Sequence, residues 1–331
     1  MLGGFLALLS AAAFAFETVT ARRGVLTASV VQALSITVPL GVPIFFVCAV
    51  AFGALGSIVD FSPKAIAYLA AAGILHFVWG RYCNYRATKA MGAILVAPVQ
   101  QSNLLVTLAL AIWIAGEHLT PLRVIGIGLV MLGPALTYDR PAREPENKAT
   151  RAAAETGERF QPNLAEGYLF ATLSSVGYGT SPVLVRLALE NRDLAAGLAG
   201  GLVSYTAAAL AFALVLLFPG RWRHVRALDP GAAKWFAISG SCVCFAQMLR
   251  YMALVLAPVS VVTPIQRLSL VFRFYFSRII NPQHEVFGGR VIVATVISLA
   301  GALAISGSTE VVQSALPMPE WIRPMLDWQW P

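Results

Sequence analysis

The chain has 331 residues, of which 58% are hydrophobic and only 12% are charged. Soluble domains carry about 25% charged residues, so this composition, with a mean hydropathy of +0.72, excludes an ordinary soluble domain and predicts a helical membrane protein with several spans. The net charge of +8 does not indicate nucleic-acid binding, because the basic residues lie in short loops between apolar runs, where they set orientation in the membrane.

Hydropathy predicts about ten spanning helices, since a helix needs about 20 apolar residues to cross a bilayer. In chain order the predicted spans are Leu2–Thr20, Val31–Leu55, Ala65–Arg86, Ala90–Trp113, Leu122–Tyr138, Gly167–Leu189, Leu194–Phe218, Ala233–Ala253, Pro258–Ile279 and Arg290–Ser306. Five lie in residues 1–138 and five in residues 167–306. Residues 139–166 are charged and contain three prolines, which predicts a flexible linker. Residues 307–331 are rich in tryptophan and proline, which predicts a tail on the membrane surface.

The two five-span units repeat each other. Pro98 and Gln100 match Pro264 and Gln266 at one and the same offset, and similarity at a fixed offset indicates an internal duplication. Because each unit has an odd number of spans, the second copy enters the membrane with the opposite orientation. The predicted fold is therefore an all-α integral membrane protein built from two inverted five-helix repeats.

The fourth and ninth spans each contain a proline near the middle, Pro98 and Pro264, and each proline is followed two residues later by a glutamine. Proline removes a backbone donor and frees a carbonyl group, and hydrocarbon cannot satisfy that group. Such a break is tolerated only against protein or a water-filled cavity. Two matched breaks therefore predict a binding pathway in which the freed carbonyl groups take part.

Arg267 is the strongest candidate for substrate binding. It lies about midway along the ninth span, where a guanidinium must face a cavity, an anion or a carboxylate. We predict that it recognises an anionic or carboxylate-bearing substrate; the alternative is a structural arginine bonded to freed carbonyl groups. The amide side chains expected to line the same cavity, or to hold helices together, are Gln100, Gln101, Asn103 and Gln266.

Glu17 is the only acidic residue inside a predicted span. A carboxylate in the membrane can take up and release a proton, so Glu17 is the predicted proton-coupling residue, and it is also a candidate partner of Arg267. The alternative is an ion pair with Arg22 or Arg23 at the membrane interface. His76 is a second candidate for proton coupling because histidine titrates near neutral pH, against the alternative of a structural, hydrogen-bonded histidine.

Signatures of catalysis and of cofactor binding are absent from the sequence, which contains no P-loop, no HExxH and no GxSxG. The four cysteines lie in or at the ends of predicted spans, without the spacing of a disulfide framework or a metal site. We therefore predict no enzymatic activity, no catalytic residue, no metal and no cofactor.

Three features together resemble the EamA-like members of the drug/metabolite transporter superfamily. They are the five-plus-five spans, the Gly-Tyr-Gly-x-Ser-x-x-x-x-Arg ending of the sixth span (Gly177 to Arg186), and Gly116-Glu117 at the end of the fourth span. The resemblance covers both units and implies a transporter of small metabolites, including amino acids. The chain departs from the family pattern at Phe14-Ala15, where Trp-Gly is usual, and at Asn281–Glu285, where Gly-Glu is usual.

The charge distribution and the family resemblance predict opposite orientations of the chain in the membrane. Most of the lysines and arginines, with Arg22, Arg81 and Arg273 among them, are counted in the loops that follow odd-numbered spans. The positive-inside rule therefore places those loops in the cytoplasm and both termini outside. The family resemblance implies the reverse, with both termini in the cytoplasm.

The sequence as a whole predicts a multi-pass transporter of the cell inner (cytoplasmic) membrane. It would move a small amino-acid-like or anionic metabolite by alternating access. Its predicted partners are that small-molecule substrate and the lipid bilayer, not nucleic acid, and a homodimer is left open. The rival functions are a flippase for an anionic lipid head group, which Arg267 would also suit, and a non-transporting membrane scaffold or assembly subunit.

Overall fold

A computed structural model describes residues 2–115, 120–138, 160–189, 192–256 and 265–306. All regular structure in these residues is helical, as expected for a chain that crosses a bilayer, because a helix satisfies its own backbone groups. Several features of the sequence lie outside the described residues: Gly116-Glu117, linker residues 139–159, Pro264 and the tail 307–331.

The described part of the first unit forms eight α-helices, with other helical turns between them in two places. The α-helices are α1 (Leu2–Thr27), α2 (Val30–Thr37), α3 (Gly41–Ala51), α4 (Pro63–Gly73), α5 (Arg81–Met91), α6 (Ala93–Gln100), α7 (Asn103–Ala115) and α8 (Pro121–Tyr138). A 3₁₀ helix (Ala54–Ile58) precedes α4, and a π-helical segment (Ile74–Gly80) joins α4 to α5 without interruption. The third predicted span is therefore one helix that runs on to Met91.

The second unit follows the same plan in the described residues. Its helices are α9 (Leu164–Ala188), α10 (Leu194–Leu216), α11 (Arg221–Arg226), α12 (Pro230–Leu256), α13 (Ser269–Ile280) and α14 (Gly289–Ser306). The short basic helix α11 was not predicted. Helix α9 begins inside the predicted linker, because the Asn163 side chain caps it by accepting the backbone N–H of Glu166 at 3.2 Å.

Among the described residues, five helical stretches are long and apolar enough to cross a membrane: Leu2–Thr27, Val30–Ala51, Ala93–Ile114, Ala195–Leu216 and Pro230–Arg250. Two shorter apolar helices, Pro121–Leu136 and Gly289–Ile305, add to them. The membrane class and the all-helical fold thus agree with the sequence analysis. The number of ten spans stays a prediction.

The second predicted span is divided into α2 and α3. Helix α2 begins with a capping box, in which Ser29 and Gln32 bond each other's backbone N–H groups. It ends at Thr37, two residues before Pro39, which has no N–H to continue the helix. The division leaves the Thr37 carbonyl available to a side chain from another helix.

The two units pack on each other reciprocally. Helix α1 lies against α12 and α13 of the second unit, and its counterpart α9 lies against α4, α5 and α7 of the first. The last helices of the two units, α8 and α14, also pair with each other. Glycines allow their close approach, since a Cβ atom on Gly126 would lie 2.8 Å from the carbonyl oxygen of Gly301. This exchange of neighbours is expected for two copies related by a two-fold axis.

Candidate functional site

Charged and amide side chains are buried where α1, α5, α6 and α13 pack together. The five central ones are at most 9% exposed: Glu17, Arg81, Asn84, Gln100 and Arg273. Burying such groups is costly unless they are paired, and charged residues inside a membrane protein usually mark a substrate or ion pathway. These five residues are therefore a candidate functional site, and together they are called the polar interior.

The Glu17 carboxylate is held by hydroxyl groups. Its Oε1 accepts a hydrogen bond from the Tyr85 hydroxyl at 3.2 Å and one from Ser239 Oγ at 3.4 Å, and its Oε2 accepts one from Thr18 Oγ1 at 3.1 Å. The cations that act on it electrostatically are Arg81 and Arg273. Glu17 is thus an interior residue, 7% exposed, and not an interfacial partner of the arginines that follow it.

Gln100 links two polar residues of other helices. Its Nε2 donates to Asn84 Oδ1 at 2.6 Å, and its Oε1 accepts from Arg273 Nη1 at 3.0 Å. The same Nη1 lies 3.4 Å from the Ala93 carbonyl oxygen. Helices α5, α6 and α13 are therefore joined by one chain of hydrogen bonds, and the Gln100 side chain lies within it.

Arg81 combines a structural contact with a charge in the polar interior. Its Nη1 donates to the Thr37 carbonyl at 2.8 Å, where the break after α2 leaves that carbonyl without a helical partner. Its Nη2 lies 3.4 Å from the Tyr205 hydroxyl, and its guanidinium carbon lies 5.1 Å from the centre of the Phe77 ring. Arg81 and Arg273 are both buried, so counting them as loop cations is wrong.

Arg267 meets its own repeat equivalent. Its Nη1 lies 3.4 Å from Gln101 Oε1, so positions that correspond in the two units face each other across the interface. The neighbouring equivalents, Gln100 and Gln266, have different partners. Gln266 Nε2 donates to Ser10 Oγ of α1 at 3.1 Å. Arg267 therefore lies beside an amide group. The described contacts of Glu17, its candidate partner from the sequence, are with Thr18, Tyr85 and Ser239.

The break near Pro98 falls three residues beyond the proline. Pro98 itself lies inside α6, which ends at Gln100, and α7 begins at Asn103. The Val99 carbonyl accepts hydrogen bonds from the hydroxyls of Ser102 at 2.6 Å and Ser175 at 3.4 Å. Protein hydroxyls thus occupy this carbonyl at the break.

Asn103 lies where α7 approaches α9. Its carbonyl oxygen would be 2.4 Å from a Cβ atom on Gly179, so only a glycine at that position permits the contact. Asn103 is less buried than Gln100 and begins the second half of the divided span.

His76 lies in the π-helical segment. Its Nδ1 is 2.7 Å from Ser181 Oγ of α9, and its ring centre is 4.6 Å from that of Tyr178. A π-helical turn inside an α-helix often occurs at a functional site. Here it lies where the first unit contacts α9 of the second. The Ser181 hydroxyl is the hydrogen-bond partner that a structural role for His76 requires.

The polar residues that the sequence analysis missed follow a helical spacing. On α5 the buried polar residues include Arg81, Asn84, Tyr85 and Thr88, whereas Tyr82, Arg86 and Lys89 are more exposed. Spacings of three and four residues place side chains on one face of a helix. That periodicity at the end of a span was the signal available, but hydropathy alone treated it as the edge of a loop.

The match to a known protein family follows the division of the chain into two units. The sequence profile of the EamA-like transporter family matches residues 1–138 and, separately, residues 165–307. No curated protein matches the sequence. Among solved structures, a chain described only as the crystal structure of a protein matches with a TM-score of 0.51 and 17% identity, over 96% of this chain and 98% of that one. At this identity the likeness concerns the fold alone.

Proposed function

This chain belongs to the EamA-like transporter family, and we propose that it moves a small amino-acid-like or anionic metabolite across the cytoplasmic membrane by alternating access. The family and the apolar helices make it a multi-pass membrane protein and a transporter of the drug/metabolite type. The proposal adds a substrate class, the cytoplasmic membrane and a mechanism, in which the two units rock against each other around the polar interior.

One observation carries the substrate class. The Nε groups of Arg267 and Arg273 are buried and have no hydrogen-bond partner among the described residues. A buried donor left unsatisfied costs about 1–3 kcal/mol, and more when it is charged. An anionic group entering the polar interior would satisfy these donors, which favours a carboxylate or another small anion as the bound group.

The charge of the polar interior supports the same substrate class. Its buried cations are Arg81 and Arg273, and its buried carboxylate is Glu17, so these three residues carry one positive charge in excess. A ligand with a carboxylate would neutralise that excess, and a zwitterion would place its ammonium group near Glu17. Gln100, Gln101, Asn103 and Gln266 would supply neutral donors and acceptors, and Pro98 and Pro264 would mark the breaks beside them.

A flux measurement tests this proposal. The purified protein is placed in liposomes and screened with radiolabelled amino acids and small carboxylates, with and without a pH gradient. We expect uptake of at least one of them and a tenfold or larger loss in Arg267→Gln, because the substrate loses a charge-assisted bond. Arg278→Gln is the matched control, since Arg278 lies in the same predicted span as Arg267 but is exposed.

The rival functions give different results in the same liposomes. A scaffold would show no flux with any labelled compound and would tolerate Arg267→Gln. A flippase would move a fluorescent anionic phospholipid between leaflets and leave the soluble metabolites outside. Either result would contradict the proposed transport of a small metabolite.

A further inference from the structure

A second set of buried charges lies at one end of the helices, away from the polar interior. Arg22, near the end of α1, has its Nε 3.5 Å from Glu285 Oε1, and both side chains are fully buried. Glu285 belongs to the loop between α13 and α14. The pair therefore joins the first unit to the second at the face that carries the α1–α2, α5–α6 and α13–α14 turns, defined here as the latch face.

Glu285 also holds the beginning of α6. Its Oε1 accepts the backbone N–H of Ala93 at 2.8 Å, and its Oε2 accepts that of Ile94 at 3.0 Å. These donors have no partner within the helix, and a carboxylate is favoured beside them by the helix dipole. Gly92, with φ +87°, permits the approach, since a Cβ atom there would lie 2.5 Å from Glu285 Oε2.

Arg22 binds backbone carbonyl groups just before the same turn. Its Nη1 donates to the carbonyl oxygens of Thr88 at 2.8 Å and Lys89 at 2.9 Å, and its Nη2 donates to that of His284 at 2.7 Å. One guanidinium thus binds the end of α5 and the α13–α14 loop at once. Removing either member of a buried ion pair leaves an uncompensated buried charge, so these contacts break together.

A cavity approaches this ion pair from the outside. It has a volume of about 520 Å³ and includes Arg86, Lys89 and Phe160 in its lining. The ring of Phe160 lies 4.5 Å from the guanidinium carbon of Arg22. The cavity lining therefore includes residues that contact Arg22, and α6, which begins beside this ion pair, ends at Gln100 in the polar interior.

Helix α6 is short enough to move as a unit. All eight of its residues, Ala93–Gln100, are buried, and it ends at the break before α7. Glu285 holds its first turn, and Arg273 holds its Ala93 carbonyl and its last side chain. Release of the first turn would remove the Glu285 cap and leave α6 held by its packing and by the Arg273 contacts.

We propose that the Arg22–Glu285 pair is a latch that closes the transport pathway at the latch face. While the pair is formed, α6 and the α13–α14 loop block passage from the cavity to the polar interior. When it separates, α6 loses its cap and the two units part at this face. This inference rests on the alternating access proposed above, which requires each face to close in turn.

Cysteine labelling tests the latch without any substrate. The four native cysteines are replaced and Ser239→Cys is introduced, since Ser239 is fully buried beside Glu17. A membrane-impermeant thiol reagent is applied to the latch face in vesicles of defined orientation. We expect Glu285→Gln to increase the labelling rate at least tenfold from this face and to lower it from the opposite face.

The control is Glu166→Gln, which breaks the Arg86–Glu166 pair of 2.7 Å at the same end of the molecule. That pair is partly exposed and does not cap α6, so the labelling rate should equal that of the parent. If Glu285→Gln alone does not fold, Arg22→Gln is combined with it, because the double variant removes both buried charges. The same increase in the labelling rate is expected. A folded variant without the increase overturns the latch, whether or not transport has been measured.

Discussion

Arg273 is the residue whose position changes the interpretation of the site most. It is 8% exposed, it donates to Gln100 Oε1 at 3.0 Å, and the charge of Glu17 acts on it. Arg267, the leading candidate from the sequence, is less buried and pairs with a neutral amide. The two arginines together supply the unpartnered donors of the interior.

Replacing Arg273 by lysine should separate charge from geometry. Lysine keeps the positive charge, but its ammonium cannot reproduce the planar donor set that reaches both Gln100 and the Ala93 carbonyl. Losing one charged hydrogen bond costs about 1.5–3 kcal/mol, so we expect the KM for substrate to rise about ten- to a hundredfold. Transport kinetics in liposomes measure this, and Arg278→Lys should leave KM unchanged. An unchanged KM in Arg273→Lys would remove Arg273 from substrate binding.

Replacing Glu17 by glutamine should remove proton coupling. Glutamine keeps a hydrogen-bond acceptor for Tyr85 and Ser239 but cannot release a proton. We expect the parent protein to show faster uptake when a pH gradient is imposed, and Glu17→Gln to show the same uptake with and without it. Glu166→Gln serves as the control and should keep the parent's response. Parent uptake that ignores the gradient would exclude Glu17 from coupling.

At the scale of elements, close helix contacts depend on small residues. Gly73, at the end of α4, faces α10, where Ser204 Oγ also donates to the Leu69 carbonyl at 2.9 Å. A Cβ atom on Gly73 would lie 2.1 Å from the Ser204 carbonyl oxygen, which belongs to the backbone and cannot rotate away. The π-helical segment begins at the next residue, so this contact also positions His76.

Gly73→Ala should therefore destabilise the protein. Overpacking of this kind costs about 1–3 kcal/mol, and we expect a lower midpoint of thermal unfolding in detergent. Gly197→Ala on α10 is the matched control, since a Cβ atom there has nothing within 4 Å and alanine favours the helix by about 1 kcal/mol. A midpoint in Gly73→Ala equal to that of Gly197→Ala would contradict the close approach of α4 and α10.

At the scale of the whole molecule, burial changes the charge count that orients the chain. Arg22, Arg81 and Arg273 are buried and should not be counted as loop cations. The exposed arginines of α11, namely Arg221, Arg223 and Arg226, lie on the latch face side of the second unit and remain. The corrected distribution still favours a cytoplasmic latch face.

The orientation can be measured with fusions after Pro331. If the latch face is cytoplasmic, both termini are outside, and a reporter enzyme active only outside the cytoplasm should be active in this fusion. A reporter active only in the cytoplasm should be silent in the same place. The opposite pair of results would assign the chain the orientation that its family resemblance implies.

The sequence by itself determined the class of the protein and its duplicated plan. Composition and apolar run length depend only on local residues, and a fixed offset between similar segments is visible without coordinates. The inward position of Gln100, Gln101 and Gln266 was predictable for the same reason, because amides within an apolar helix avoid lipid. Arg81 and Arg273 were misplaced because they lie at the ends of apolar runs, where hydropathy does not distinguish a buried polar face from a loop.

Only the tertiary structure decided which buried charges are partners. Glu17 is near Arg22 along the chain, yet Arg22 pairs with Glu285 of the other unit, and Glu17 lies among hydroxyls of α5 and α12. Pairing inside a membrane protein depends on which helices pack together, and that arrangement depends on contacts between residues far apart in sequence. The capping of α6 by a carboxylate of the second unit has the same origin, since a helix can be capped by any group that packing brings to its end.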